Sequence, residues 1–257
     1  MTALRSLFRS GRKFLRESRA KVLRRAGLLN GDWQGALPAE VQFWEMALRD
    51  GGRNWDPEEF RRRMDGTREL QGELKALLDA PPGARVRILD VGAGPLTTLG
   101  KRWEGRQLEI VAVDPLAAEY ARLLARLGLV PPVTTTSAHG EKLLDRFAVD
   151  EFDLAYASNA LDHSYDPRLA IRQMLTVVKP GRHVYLWHFA NEGTAESYHG
   201  LHQWNFDIQG NDFMISDGRS RHSLAAEFAG RARLACERQV AFGKQVVIAQ
   251  LQKIVPG

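Results

Sequence analysis

The chain has 257 residues, of which 44% are hydrophobic and 26% are charged. A chain of this length and composition buries a large core, which excludes general disorder and collagen-like repeats. Its single cysteine, Cys236, excludes a disulfide scaffold and a multi-cysteine zinc site, and no run of about 18 apolar residues predicts a membrane span.

The net charge of +5 is concentrated at one end of the chain. Residues 1–25, the basic arm, hold nine Lys or Arg and one acid, and the remainder is slightly acidic. Apolar residues recur among these arginines at helical spacing, which predicts an amphipathic helix. Three roles stay open for it: contact with an anionic membrane surface, contact with nucleic acid, or packing on the protein itself. No secretory signal is evident, so we predict a cytoplasmic protein, peripheral to a membrane if the arm binds one.

Residues 1–82 are predicted to form a helical N-terminal extension, with a loop over 27–38. Its predicted helices span 38–50, 57–64 and 67–78. Asp56 and Pro57 form a typical helix start, an N-cap followed by proline. The sequence Pro-Pro-Gly at 81–83 marks the expected boundary with a second domain, 83–257.

From residue 83 onwards the pattern alternates between strands and helices, which predicts a mostly parallel sheet. The predicted strands are 85–91, 108–113, 133–137, 152–157 and 183–189, and the predicted helices between them are 97–103, 117–127, 142–147 and 167–177. Two further strands, 233–241 and 245–255, are joined by a tight turn at 242–244. An antiparallel pair should therefore close the sheet.

Glycines follow the first strand directly. Asp90 ends this strand, and Gly92, Ala93 and Gly94 precede the predicted helix. Glycines let a ligand approach the backbone, and a helix start favours a negative ligand group. A carboxylate at the position of Asp90 repels a pyrophosphate, so it favours a ligand with a cationic end.

The second strand ends in Asp114 and Pro115. In nucleotide-binding sheets, an acidic residue at this strand end accepts hydrogen bonds from the two ribose hydroxyls. Thr97 stands where a dinucleotide-binding fingerprint has its third glycine. The pattern therefore disfavours an NAD-linked oxidoreductase.

Four segments in this order resemble the class I S-adenosylmethionine-dependent methyltransferases over about residues 83–255. They are ILDVGAGP at 88–95, AVDP at 112–115, FDLAYASNALDH at 152–163 and LTVVKPGRHV at 175–184. The resemblance implies a Rossmann-like α/β fold, with a seven-stranded mostly parallel sheet and one antiparallel C-terminal strand. It also implies S-adenosylmethionine as cofactor, with its amino group on Asp90, its ribose on Asp114 and its carboxylate at the helix start after Gly94.

The third strand departs from the family pattern. The family often has Gly-Asp-Ala-Glu there, with the acid near the adenine amino group, whereas this chain has Ala-His-Gly-Glu at 138–141. His139 takes the place of the acid, and Glu141 or a backbone group could serve instead. We include His139, Glu141 and Asn159 among the predicted cofactor-binding residues.

Five of the seven histidines lie between residues 163 and 202. In this fold the loop after strand four and the end of strand five face the methyl group. His163 is the first candidate for a general base and His188 is the second, because imidazole is largely neutral at pH 7. The alternatives are that His163 anchors the following helix and that His188 lies satisfied in the core.

An inserted flap is predicted at about 191–220. Its aromatic and polar residues suit a hydroxyl-rich ligand, and a turn at Gly210 and Asn211 predicts a hairpin that could arch over the pocket. The predicted substrate-binding residues are Asp162, Tyr198, His199, His202 and Trp204. The alternative is a structural flap without ligand contact.

We predict no metal site, because the spacing of Asp162, His163, Asp166, His188 and Glu192 fits no pattern of ligands. The predicted activity is O-methylation of a polar small molecule or a glycan. The alternatives are methylation of nucleic acid, for which the flipped-base motif is missing, and a non-catalytic module that binds S-adenosylmethionine.

Overall fold

The computed structural model of the protein describes residues 33–255, so the basic arm lies outside the described residues. A seven-stranded sheet forms its centre. In chain order these strands are β1 (Arg85–Val91), β2 (Gln107–Asp114), β3 (Thr135–Ser137), β4 (Phe152–Ser158), β5 (Val178–Phe189), β9 (Ala232–Ala241) and β10 (Lys244–Lys253). A separate three-stranded sheet contains β6 (Asn205–Gln209), β7 (Asp212–Ser216) and β8 (Arg221–Ser223).

The strand order in the large sheet is β3-β2-β1-β4-β5-β10-β9. Strands β1 to β5 pair in parallel, whereas β10 runs antiparallel to both β5 and β9. The predicted Rossmann-like sheet with one reversed C-terminal strand is therefore confirmed. This order places the carboxyl ends of β1, β2 and β4 side by side at one edge, where such sheets bind ligands.

Helices cover both faces of the sheet. They are α1 (Trp33–Leu48), α2 (Pro57–Met64), α3 (Gly72–Leu78), α4 (Ala117–Leu127), α5 (Pro167–Val177) and the single turns α6 (Glu192–Ala195) and α7 (Leu224–Glu227). Helix α5 and the three-stranded sheet pack on one face, and α3 packs on the other. None of the helices in the range 33–255 has the length and apolar character needed to cross a bilayer.

Local signals account for the start of several helices. Asp56 and Asp166 each accept two backbone N–H groups at the start of α2 and α5, where a proline occupies the first turn. These side chains satisfy donors that a helix start leaves free, so both helices begin where the sequence predicts. Helix α1 already begins at Trp33, inside the predicted loop, and therefore contains Pro38 in its second turn.

One predicted helix is absent and another is shortened for one shared reason. Residues 97–103 form no helix, and the predicted helix at 67–78 is reduced to α3. Residues 68–70 pair with residues 101–102 instead. In this pairing Leu70 donates its N–H to the carbonyl of Arg102. The Gln71 amide holds the same contact, because it donates to the Thr98 carbonyl and accepts from the N–H of Gly100. Strand β3 covers three of its five predicted residues, and the helix predicted at 142–147 is a 3-10 turn at Gly140–Asp145.

Replacing Gly100 with alanine should destabilise the fold by about 1–3 kcal/mol or more, because a Cβ there has no room. It would lie 1.9 Å from the Glu69 carbonyl oxygen, a backbone atom that cannot rotate away. Thermal unfolding measures the loss. The control is Gly72→Ala, since a Cβ at Gly72 meets nothing within 4 Å. Equal melting temperatures for both variants would contradict the close pairing of these segments.

Residues 191–220, where the flap is predicted, contain the turn α6 and the strands β6 and β7. Strands β6 and β7 form a hairpin whose turn is at Gly210 and Asn211, as predicted. Phe206 and Phe213 are buried, and they pack with α5 and the large sheet. The hairpin therefore contributes to the main core, and the loop before it (196–204) is the part that reaches the carboxyl edge of the sheet.

Candidate functional site

The glycine loop, residues 92–94, follows β1 directly and is hydrogen-bonded to the end of β2. Gly92 and Gly94 have φ angles of 71° and 62°, in the left-handed region that favours glycine. The N–H groups of Gly92 and Ala93 donate to the carbonyl of Val113. A Cβ on Gly92 would lie 2.4 Å from the Cβ of Ala160, so glycine is required for the loop after β4 to approach.

Asp90 lies beneath this loop and is 2% exposed. Burial raises the pKa of its carboxyl group to about 6, even though the Thr97 hydroxyl donates a hydrogen bond to Oδ2. No helix follows Gly94, so the predicted helix start that would receive the cofactor's carboxylate is wrong. Thr97 instead serves as the partner of Asp90, and the Leu99 N–H fixes its hydroxyl.

Asp90→Asn should make the protein more stable at pH 8 but not below about pH 4. The raised native pKa means that the folded protein binds the proton more tightly than the unfolded chain, so stability falls as the pH rises from about 4 to 6. The amide removes this loss, which corresponds to at most about 3 kcal/mol above pH 6. Urea denaturation at pH 4, 6 and 8 measures the difference.

Asp65→Asn is the control for this experiment, because a hydrogen bond from Thr67 lowers the pKa of that exposed carboxyl group. It should bring no gain in stability at pH 8. An Asp90→Asn protein that is no more stable than the wild type at pH 8 would show that the buried Asp90 carboxylate carries no such cost.

Asp114 ends β2 and holds the glycine loop in place. Its Oδ2 accepts from the Gly94 N–H at 3.1 Å and its Oδ1 from the Leu116 N–H at 2.9 Å, across the turn that contains Pro115. The side chain is 8% exposed, and burial raises its pKa to about 6. The carboxylate of Glu40 adds to this rise, whereas nearby His163 opposes it.

The residues predicted near adenine take different positions. The His139 ring centroid lies 5.5 Å from that of Trp33 and 6.1 Å from that of Tyr165. Its Nδ1 is buried and has no partner in the described part of the chain. Glu141 is buried, and its Oε1 accepts from the N–H groups of Tyr165 and Asp166. Glu141 therefore fixes the turn before α5, and its role in binding the cofactor stays a prediction.

Asn159 connects the loop after β4 to the flap. Its φ angle is 47°, its Oδ1 accepts from the Phe189 N–H, and its Nδ2 donates to Glu192 Oε2 at 3.0 Å. Glu192 is 6% exposed, and its other oxygen accepts from Lys244 Nζ at 3.2 Å. Both Asn159 polar atoms thus bind protein groups, so its predicted contact with the cofactor stays a prediction.

Asp162, His163 and His202 meet at the carboxyl end of β4 and form the histidine cluster. His202 Nδ1 lies 2.7 Å from Asp162 Oδ2 and 3.0 Å from His163 Nε2. The third distance, from His163 Nε2 to Asp162 Oδ2, is 3.4 Å. The predicted base, His163, and two predicted substrate-binding residues therefore form one contiguous group. His202 lies about 40 positions along the chain from the other two.

Charges within the histidine cluster are mutually stabilising. Burial alone would raise the pKa of Asp162, which is 1% exposed, but His163 and His202 outweigh it and lower that pKa to about 2. Burial opposes protonation of His202, yet its hydrogen bond and charge interaction with Asp162 raise its pKa. The cluster thus keeps a permanent buried carboxylate beside two imidazoles.

His188 lies in the core. It is 0% exposed, its ring centroid is 4.4 Å from that of Phe206, and neither ring nitrogen has a partner among the described residues. Burial lowers its pKa to about 4, so the imidazole is neutral. An acceptor cannot reach this side chain in the present conformation, which disfavours His188 as the base relative to His163.

The other predicted substrate-binding residues lie on the flap. Tyr198 accepts a hydrogen bond from Asn205 Nδ2 at 2.8 Å, and Trp204 Nε1 donates to the Ser164 carbonyl at 2.9 Å. These bonds give both residues a structural role. His199 is exposed, at the surface of the same loop as His202. Contact of these three residues with a substrate stays a prediction.

Helix α1 covers the site, which the sequence did not predict. A Cβ on Gly94 would lie 3.0 Å from the Trp44 ring, and Trp44 Nε1 donates to Glu40 Oε1. Glu40 Oε2 lies 3.7 Å from His163 Nδ1, while Trp33 Nε1 donates to the His163 carbonyl at 2.7 Å. The sequence predicts a helix at 38–50, but it does not indicate which surface that helix covers.

A family model described as a methyltransferase domain matches residues 58–230, which is well over half of the chain. The chain belongs to that methyltransferase family. The predicted resemblance is thus confirmed, and the cofactor of this methyltransferase is S-adenosylmethionine. The matched stretch includes α2, α3, the glycine loop and the flap. No curated protein sequence matches the chain.

Three solved structures are similar to this methyltransferase at low sequence identity. The CurJ carbon methyltransferase is 14% identical with a TM-score of 0.50, covering 71% of this chain, which spans only 52% of the CurJ chain. The 1,6-didemethyltoxoflavin-N1-methyltransferase of Burkholderia thailandensis is 16% identical with a TM-score of 0.47, covering 88% of this chain and 91% of its own. An S-adenosylmethionine-dependent methyltransferase from Clostridium acetobutylicum is 10% identical with a TM-score of 0.47, covering 84% and 100%.

The residues around the glycine loop fit the cofactor of this methyltransferase. Within residues 33–255, neither Asp90 nor Asp114 has an ion-pair partner, although both are buried carboxylates. Such groups suit a ligand that carries positive charge and hydroxyl donors. Asp114 would accept the ribose hydroxyls and Asp90 the amino group. Bound S-adenosylmethionine supplies a methyl group on a positively charged sulfur.

Proposed function

We propose that this methyltransferase transfers the methyl group to a hydroxyl oxygen of a polar small molecule or a glycan. The observation that carries the proposal is the histidine cluster at the carboxyl end of β4. Helix α1 connects the cluster to the glycine loop, because Glu40 lies 3.7 Å from His163 Nδ1 and accepts a hydrogen bond from Trp44, whose ring would lie 3.0 Å from a Cβ on Gly94. An acceptor between them would have basic groups beside its nucleophilic atom.

Basic groups distinguish a hydroxyl acceptor from other acceptors. A neutral amine already carries a free electron pair, whereas a hydroxyl becomes a strong nucleophile only as it loses its proton. In the proposed transfer the oxygen forms a bond to the methyl carbon while the carbon–sulfur bond breaks, and that electron pair stays on sulfur. The hydroxyl proton is transferred to a base at the acceptor end of the site. The histidine cluster and Glu192 supply such bases.

Polar groups around the cluster favour a polar acceptor. Glu40 approaches from α1 and Glu192 from the flap, and both carboxylates lie within 4 Å of a histidine nitrogen of the cluster. Carboxylates and imidazoles accept and donate hydrogen bonds to hydroxyl groups, which supports a substrate with several hydroxyls. Most of the rate enhancement would come from holding acceptor and methyl group in line.

The test incubates the protein with S-adenosylmethionine and separate panels of sugars, phenols, amines and RNA. We expect one compound with hydroxyl groups to gain the mass of a single methyl substitution, on an oxygen identified by fragmentation or by nuclear magnetic resonance. Methylation of an amine nitrogen, of carbon or of RNA would contradict the proposed acceptor. Binding of S-adenosylhomocysteine without any transfer would favour the non-catalytic alternative.

A further inference from the structure

The three ligand atoms of the histidine cluster are close enough to share one ion. Asp162 Oδ2, His163 Nε2 and His202 Nδ1 all lie within 4.8 Å of one another, and the three separations are 2.7, 3.0 and 3.4 Å. Atoms at these separations can all lie about 2.1 Å from a single point, which is the usual distance from a transition metal to nitrogen or oxygen ligands. Two imidazoles and one carboxylate are a common ligand set for such ions.

A second observation is a buried carboxylate oxygen of Asp162 that has no hydrogen-bond partner among the described residues. This atom is Oδ1, and Asp162 is 1% exposed. A buried carboxylate oxygen without a partner is costly unless a ligand satisfies it. Glu192 Oε2 lies 3.9 Å from His202 Nδ1, and Glu40 Oε2 lies 3.7 Å from His163 Nδ1. The cluster therefore has carboxylates on several sides, which favours a divalent cation.

Surrounding hydrogen bonds hold the ligands from both sides. His163 donates its backbone N–H to the Ala160 carbonyl, and its own carbonyl accepts from Trp33. The flap loop is tied to β4, because the N–H of Gln203 donates to the Asp162 carbonyl at 3.0 Å. Glu40 faces the second ring nitrogen of His163, the place where metal-binding histidines commonly have a carboxylate.

We infer that Asp162, His163 and His202 bind one divalent first-row transition-metal ion, of which Zn²⁺ is the best match to two imidazoles and a carboxylate. Three protein ligands leave a coordination position open, as in catalytic zinc sites.

The role of the ion rests on the proposed function, whereas its binding does not. An acceptor hydroxyl at the open position would lose its proton more readily, because a bound metal ion stabilises the negative oxygen. Glu192 would take that proton, since His163 Nε2 is then a ligand. The oxygen forms the bond to the methyl carbon, and the carbon–sulfur bond breaks with its electron pair on sulfur.

The test titrates Zn²⁺ into the full-length protein after chelation and dialysis, by calorimetry, with Co²⁺ absorption spectra as a second readout. We expect one equivalent per chain and a higher melting temperature with Zn²⁺, because an ion that binds only the folded state stabilises it. His202→Gln should weaken Zn²⁺ binding by at least about tenfold and abolish the thermal shift. This side chain is 31% exposed, so the variant is expected to fold.

His222→Gln is the matched control, because His222 lies on β8, outside the histidine cluster, and its Nε2 lies 3.1 Å from the Ser220 hydroxyl. It should bind Zn²⁺ like the wild type. Absence of stoichiometric Zn²⁺ and Co²⁺ binding, or equal affinity in His202→Gln and the wild type, would overturn the inference.

Activity separates this inference from the proposed function. If the protein freed of metal by chelation methylates a hydroxyl as fast as the untreated protein, the proposed function stands and the role of the ion is excluded. If Zn²⁺ binds stoichiometrically but no hydroxyl compound is methylated, the metal site stands and the proposed function falls.

Discussion

Asp114→Asn is expected to weaken the binding of S-adenosylhomocysteine by about 10–100-fold, because it would remove the charge-assisted hydrogen bonds that we predict between Asp114 and the ribose, each worth about 1.5–3 kcal/mol. The amide also changes the glycine loop. Asp114 now accepts one N–H group on each oxygen, from Gly94 and Leu116, and an amide nitrogen in place of one oxygen would face another donor. Isothermal titration calorimetry measures the affinity.

Asp153→Asn is the matched control for this experiment. Asp153 is also 8% exposed and also accepts a backbone N–H, from Arg87, but it pairs with Lys179 near the amino end of β4. Its replacement should lower the melting temperature without changing the affinity for S-adenosylhomocysteine. Wild-type affinity in Asp114→Asn would show that the cofactor does not bind at the tip of β2.

His163→Ala is expected to lower kcat by about 10²–10⁴-fold while the affinity for S-adenosylhomocysteine is retained. The loss arises at the acceptor end of the site, because His163 contributes one of the three clustered ligand atoms and contacts both Asp162 and His202. The same effect is expected whether His163 accepts the proton itself or binds an ion that acidifies the acceptor. Steady-state kinetics with the methylated compound measure kcat and KM separately.

His222→Ala controls for the loss of an imidazole on β8, outside the histidine cluster, and its kcat should equal that of the wild type. Wild-type turnover in His163→Ala would exclude the histidine cluster from the reaction. A loss of cofactor affinity equal to the loss of turnover would instead place His163 in the cofactor end of the site.

Local patterns predicted the parts of the fold that local forces determine. Alternating and β-branched runs gave the seven strands, and capping residues such as Asp56 and Asp166 gave helix starts. The glycine loop with Asp90 and Asp114 was predictable, since the carboxyl ends of neighbouring parallel strands meet at one edge. Each of these residues lies in, or directly after, the strand that positions it.

Contacts between distant segments account for what the sequence did not show. The helix expected at 97–103 is replaced by extended pairing, because Gln71 and the carbonyl of Glu69 occupy the space around Gly100. His202 joins His163 only because the flap loop folds back onto the end of β4. The prediction of no metal site followed from spacing along the chain, whereas the metal site proposed above rests on distances in space.

One helix borders both the cofactor end and the acceptor end of the site. Helix α1 packs Trp44 against the glycine loop and places Glu40 beside His163, so a shift of this helix on cofactor binding would alter the surroundings of the acceptor. Thermodynamic linkage makes such an effect reciprocal: each ligand changes the affinity of the other by the same factor. If the helix shifts in this way, the affinities for acceptor and cofactor are properties of the pair, so each should be measured with the other ligand both absent and saturating.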